Sequence, residues 1–99
     1  MTTFDFQDGN GPVPAHQHAN GGGWVADTAF VANTAYVGTN ARVYNKAQVY
    51  GRTRVYDKAQ VYGDAWVFGE AQIFDKAQVY GDAQVYDRTR VYDEALVCN

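Results

Sequence analysis

From Gly23 to Asn99 a valine or isoleucine returns at every sixth residue without a slip, from Val25, Val31 and Val37 through Ile73 to Val91 and Val97. Two residues ahead of each stands a small side chain: Gly23, then alanine throughout except Thr53 and Thr89. The residue after each is aromatic in nine consecutive hexads, from Tyr44 to Tyr92, and Ala26, Ala32, Gly38 or Cys98 in the rest. The slot after that holds only Asp, Asn, Gly or Thr. Thirteen matching hexads in succession are not chance, and such self-similarity is the mark of a stacked-repeat architecture.

A strict period of six does not fit the 3.6-residue turn of a helix. Composition agrees, because thirteen residues are valine while leucine and methionine occur once each, and bundle cores favour those two. In an extended hexad such as Ala47-Gln48-Val49-Tyr50, Ala47 and Val49 share one side. The fifth residue, Gly51 here and Asp57 next, tolerates left-handed backbone angles and turns the chain. Each hexad is thus a short strand plus a corner. The corners are too short to reverse the chain into hairpins, so the chain coils, each strand bonded to its equivalent one coil above.

The pattern resembles the hexapeptide-repeat, left-handed parallel β-helix family, whose motif pairs an aliphatic residue with a small one four later, as in Val49 with Thr53 and Val61 with Ala65. The resemblance implies an all-β, single-domain triangular prism with three hexads per coil and about four coils over 23–99. Its left hand comes from the resemblance alone; crossover rules for ordinary sheets favour the other. One departure is the aromatic residue after the aliphatic one, where the family often has glycine.

Given three hexads per coil, residues eighteen apart stack. Val25, Val43, Val61, Val79 and Val97 then form one column of a dry bore whose only inward polar groups are Thr53 and Thr89. The aromatics are too large for that bore and face outward in three ladders: Tyr44, Tyr62 and Tyr80; Tyr50, Phe68 and Tyr86; Tyr56, Phe74 and Tyr92. They stabilise the faces as cross-strand pairs do, or serve, with Leu96 and Cys98, as a contact surface for another chain or a glycan. Arg52, Glu70 and Arg88 stack with alternating charge, Gln60 and Gln78 are placed for an amide ladder, and Asp57, Asp75 and Asp93 share a corner beside Lys58 and Lys76. These aspartates are expected to turn corners, neutralised by lysine, more than to hold calcium. Residues 1–22, rich in Gly, Pro and Asn, lie outside the repeat and are expected to strap or cap the first coil, with Phe4 and Phe6 as anchors and Gly21-Gly22-Gly23 as the start of a strand or a flexible joint. Nothing comparable follows Ala95-Leu96-Val97-Cys98, which leaves an edge open to end-to-end pairing.

Catalysis is not expected. Many hexapeptide-repeat proteins are trimeric acyltransferases with a histidine base and an acyl-thioester cofactor, and a divergent member of that kind is the alternative reading. The thirteen hexads carry no histidine, however, and no loop interrupts them. The carbonic anhydrases of this fold use three zinc-binding histidines, and this chain has two, His16 and His18. These project to one side of an extended segment and are the candidate metal ligands. A trimer would bring six such nitrogens to a threefold axis, which resembles the iron sites at the tips of some phage spikes. No other cofactor is expected.

Nucleic acid is not an expected partner either: Arg42, Arg52, Arg54, Arg88 and Arg90 do not read as one face, and the net charge is -3. No apolar run approaches the ~20 residues of a membrane span, and the first residues lack the features of a classical signal peptide. A single cysteine permits a reducing compartment. The chain reads as a rigid, non-catalytic structural or interaction module, cytoplasmic or virion-associated. It is expected to self-associate as a trimer or end-to-end dimer, or to bind another protein, and it resembles small hexapeptide-repeat proteins of bacteria and their phages.

Overall fold

The computed structural model describes residues 2–98; Met1 and Asn99, at the outer ends of the expected 1–22 cap and 23–99 solenoid, lie outside the described residues. Two strands, β1 (Thr3–Asp5) and β2 (Pro12–Gln17), precede the repeat. The hexads then supply one short strand each: β3 (Trp24–Ala26), β4 (Phe30–Val31), β5 (Tyr36–Val37), β6 (Arg42–Val43), β7 (Gln48–Val49), β8 (Arg54–Val55), β9 (Gln60–Val61), β10 (Trp66–Val67), β11 (Gln72–Ile73), β12 (Gln78–Tyr80), β13 (Gln84–Val85), β14 (Arg90–Val91) and β15 (Leu96–Cys98).

Every third strand pairs in parallel. The orders β3-β6-β9-β12-β15, β4-β7-β10-β13 and β5-β8-β11-β14 make three sheets around one bore. Pairing Val25 with Val43, Val43 with Val61 and Val61 with Val79 fixes eighteen residues per turn. The result is a triangular, single-domain β-solenoid of about four coils. Ladder bonds such as Phe30 N–H to Ala47 O (3.0 Å) and Gln48 N–H to Ala65 O (2.9 Å) repeat coil after coil.

The bore is packed solid. Val25, Val37, Val43, Val49, Val55, Val61, Val67, Ile73 and Val79 are fully buried, as are the alanines from Ala35 to Ala77. Alanine and a β-branched residue two apart fill a narrow triangular section that leucine or phenylalanine would overpack. The inward hydroxyl of Thr53 donates to Tyr50 O at 3.0 Å, so no buried polar group is stranded there. Thr89, the other inward polar residue, is exposed in the last coil.

Corners close when the small residue donates back three positions, as Ala59 N–H does to Tyr56 O (3.2 Å). From Asn45 to Asp93 each corner residue is left-handed, with φ between 57° at Asp57 and 77° at Gly51. Asp27, Asn33 and Thr39, the corners of the first coil, do not share that conformation, which differs from the uniform corner read from the sequence. The change coincides with Tyr44, the first aromatic of a ladder.

Residues ahead of the repeat close two of the three upper sheet edges. Strands β1 and β2 form an antiparallel hairpin, and β2 adds antiparallel to β3 through Ala15–Ala26, His16–Val25 and Gln17–Trp24. The turn at 18–23 covers β5: Val37 N–H donates to Asn20 O (3.0 Å) and Gly23 N–H to Val37 O (2.9 Å). Gly21 and Gly22 have positive φ, and a Cβ on Gly23 would lie 2.3 Å from Gly38 O. Gly21 and Gly23 let this backbone lie directly on that of Val37 and Gly38, and Gly22 supplies the positive φ between them.

Candidate interaction surfaces

The three ladders form as stacked rings. Tyr44, Tyr62 and Tyr80 stack at 4.9 and 5.2 Å between centroids; Tyr50, Phe68 and Tyr86 at 5.7 and 5.5 Å; Tyr56, Phe74 and Tyr92 at 5.1 and 5.5 Å. A strand spacing of about 4.8 Å matches the separation at which offset rings attract, so the solenoid pitch itself sets the stack. Phe6 extends the first ladder upward, lying 4.8 Å above Tyr44. The rings are less exposed than an outward slot suggests: Tyr44 is buried and most of the others are half-buried, because each covers its neighbours' faces. What they show to solvent is mainly edges.

A bond between columns locks the ladders further. Tyr44 Oη donates to Gln60 Oε1 (2.9 Å), Tyr62 Oη to Gln78 Oε1 (2.7 Å) and Tyr56 Oη to Gln72 Oε1 (3.5 Å). The glutamine carbonyls that the sequence suggests for an amide ladder are therefore taken by tyrosines of the coil above. The recurring offset of sixteen residues between Tyr and Gln was the signal for it. Burial under the hairpin pushes the Tyr44 hydroxyl up to about 12, with the Tyr62 and Asp8 charges adding to it and Arg42 opposing. Burial also raises Tyr62, and a hydrogen bond with exposed Cys98 raises Tyr80.

The faces between the ladders differ in chemistry. On the β3 sheet Phe4 stacks on Trp24 at 4.7 Å, and the Arg42 guanidinium sits 5.2 Å from the Phe4 ring centre, so the hairpin uses the upper part of this face. Gln60 and Gln78 continue it down to Leu96, which is 62% exposed. The β4 sheet presents Phe30, Gln48, Trp66 and Gln84, with Phe30 55% and Trp66 42% exposed. The β5 sheet presents Tyr36, Arg54, Gln72 and Arg90.

The β5 face overturns one expectation. Arg52, Arg54, Arg88 and Arg90 line one groove together with Glu70 and Gln72, so four of the five arginines are gathered and only Arg42 stands apart. Thirty-six residues separate Arg52 from Arg88 and Arg54 from Arg90, which is two whole coils. In the charged column Arg88 Nε lies 3.3 Å from Glu70 Oε1. At the next corner Asp57 Oδ2 accepts from Asp75 N–H (3.2 Å) and Asp75 Oδ2 from Asp93 N–H (3.0 Å), so the backbone of the next coil, where lysine was expected, answers these carboxylates.

The two histidines are held by different partners. His16, on β2, is half-exposed with Nδ1 2.8 Å from Asp27 Oδ1. His18 is buried, and its Nε2 lies 2.8 Å from Ala35 O, which also accepts from Asn20 Nδ2 (3.1 Å). Among the described residues no group of three or more His, Cys, Asp or Glu side chains is placed to hold a metal ion. No family model, curated protein or solved structure matches the chain.

Proposed function

We propose that this chain is a non-catalytic, left-handed β-helix of the hexapeptide-repeat kind that serves as a rigid structural and interaction module, self-associating through the β4 sheet. Rigidity rests on the filled bore, the ladder hydrogen bonds in each coil and the three aromatic stacks. Self-association rests on one observation: Phe30 and Trp66 stand on a single face at 55% and 42% exposure, with 49%-exposed Tyr86 at its border. On a flat, rigid sheet these side chains cannot fold away from water, and covering them with a second copy removes that cost. The motif of an aliphatic residue with a small one four later, wound at eighteen residues per turn, supports the family reading.

The test is molar mass by light scattering over a range of concentrations. Wild-type protein is expected as an oligomer, and Phe30→Lys/Trp66→Lys as a folded monomer by circular dichroism. A wild-type mass that stays monomeric at every concentration removes the proposal. So does retention of the oligomer in the double variant. Leu96→Pro takes an N–H from the lower edge of β15, a position where an edge strand tolerates proline; an oligomer lost only in that variant moves the interface to the coil end and refutes the face.

A further inference from the structure

We propose that the face of β5, β8, β11 and β14 binds a linear uronate polysaccharide, with one carboxylate per disaccharide, laid along the solenoid axis. The four arginines of this face are all exposed, and the chain as a whole, these four included, carries a net charge of -3, so the face runs against the sign of the molecule. Such a local inversion steers an anion to one side of a protein that repels it elsewhere. The arginines come as two rungs, Arg52 with Arg54 and Arg88 with Arg90, two coils apart. At the strand spacing of a sheet the rungs stand about 10 Å from each other, comparable to the carboxylate repeat of an extended disaccharide polymer. Guanidinium is a planar fork that meets a carboxylate with two parallel hydrogen bonds.

The ground above and between the rungs suits neutral sugar. Between them lie Gln72 and Glu70, the latter engaged by Arg88. Above them a second groove, shared with Arg52 and Arg54, is lined by Asn20, Tyr36, Thr39 and Asn40, all able to hydrogen-bond hydroxyls, and by the Asp57 carboxylate. Nucleic acid fits less well. A duplex places a charge every ~3.4 Å along each strand and one every ~1.7 Å over both, so most of its phosphates would face no arginine. Single-strand binding also needs free ring faces on which bases stack. The rings bordering this face are stacked in ladders, Tyr56, Phe74 and Tyr92 at 5.1 and 5.5 Å and Tyr50, Phe68 and Tyr86 at 5.7 and 5.5 Å. This leaves Tyr36, 38% exposed, as a single ring on the face and no run of rings for successive bases.

Calorimetric titration of the 99-residue protein with hyaluronan oligosaccharides, which carry one carboxylate per disaccharide, tests this. Saturable binding is expected, weakened about tenfold or more in Arg54→Gln/Arg90→Gln. Lys58→Gln/Lys76→Gln makes the same change in net charge at another corner and is expected to bind within about twofold of wild type. Circular dichroism confirms that each variant keeps its fold. Absence of saturable binding overturns the proposal, as does an equal loss in the two double variants. Tighter binding of oligothymidylate or polyglutamate assigns the face to another class of polyanion and also overturns it.

Discussion

Replacing Val61 by alanine measures how rigid the bore is. Val61 is fully buried, with Val43 stacked above and Val79 below in fixed register. Removing two methyl groups forfeits about 0.8 kcal/mol each in transfer free energy, about 1.6 kcal/mol together. The rest depends on whether the walls can close. Neighbouring Ala59 and Ala65 have no rotamer with which to fill a gap, and ladder hydrogen bonds hold the backbone on all three sides. A cavity that cannot collapse adds about 1 kcal/mol, for a total of about 2.5 kcal/mol. In a chain of this size that lowers the melting temperature by about 10–20 °C. Val97, only partly buried at the foot of the same column, is the internal reference, and its change to alanine is expected to cost less than about 1 kcal/mol. Urea denaturation followed through Trp24 and Trp66 fluorescence gives both values. If the two variants lose equal stability with unchanged denaturant slopes, the bore is plastic and the reasoning fails.

The hairpin and the corners give two further predictions. Phe6 is 3% exposed and covers Tyr44, so Phe6→Ala should cost about 3 kcal/mol and bring the Tyr44 hydroxyl down from about 12 towards 10, read by tyrosinate absorbance in an alkaline titration. Because the folded value is the raised one, neutral Tyr44 contributes stability that is complete below pH 10 and is lost as pH climbs through about 12; an alkaline stability profile that Phe6→Ala leaves unchanged would contradict this. At the corner, Gly51 has φ +77° and an added Cβ would lie 2.7 Å from Gly69 O, so Gly51→Ala should cost about 2 kcal/mol by thermal melting; a neutral result would show that the coils spread readily at their corners.

Much of this architecture was legible because a repeat exposes its own geometry. The slots of one hexad, read thirteen times, identified the bore residues, the outward aromatics and the corner residues. The resemblance supplied three hexads per coil, and with it the membership of each ladder. Less visible were features that join unlike positions. The Tyr–Gln bonds link columns sixteen residues apart, and the carbonyl of Ala35 is answered by His18 and Asn20 from outside the repeat. His16 and His18 differ only by position in the sequence, yet one meets a carboxylate and the other a buried backbone oxygen.

The sequence by itself determined the period, the filling of the bore and the placing of aromatics at the corners, since each follows from side-chain volume and strand alternation within six residues. The tertiary structure decided which surfaces those corners enclose. Winding brings Arg52 and Arg54 onto the same face as Arg88 and Arg90, while antiparallel addition of β2 buries Tyr44 at the top of a ladder whose lowest ring is exposed to a different neighbour, Cys98. Local chemistry fixes what one hexad can be. Its electrostatic and solvent environment depends on residues one or more whole coils away, and those distances exist only once the chain is wound.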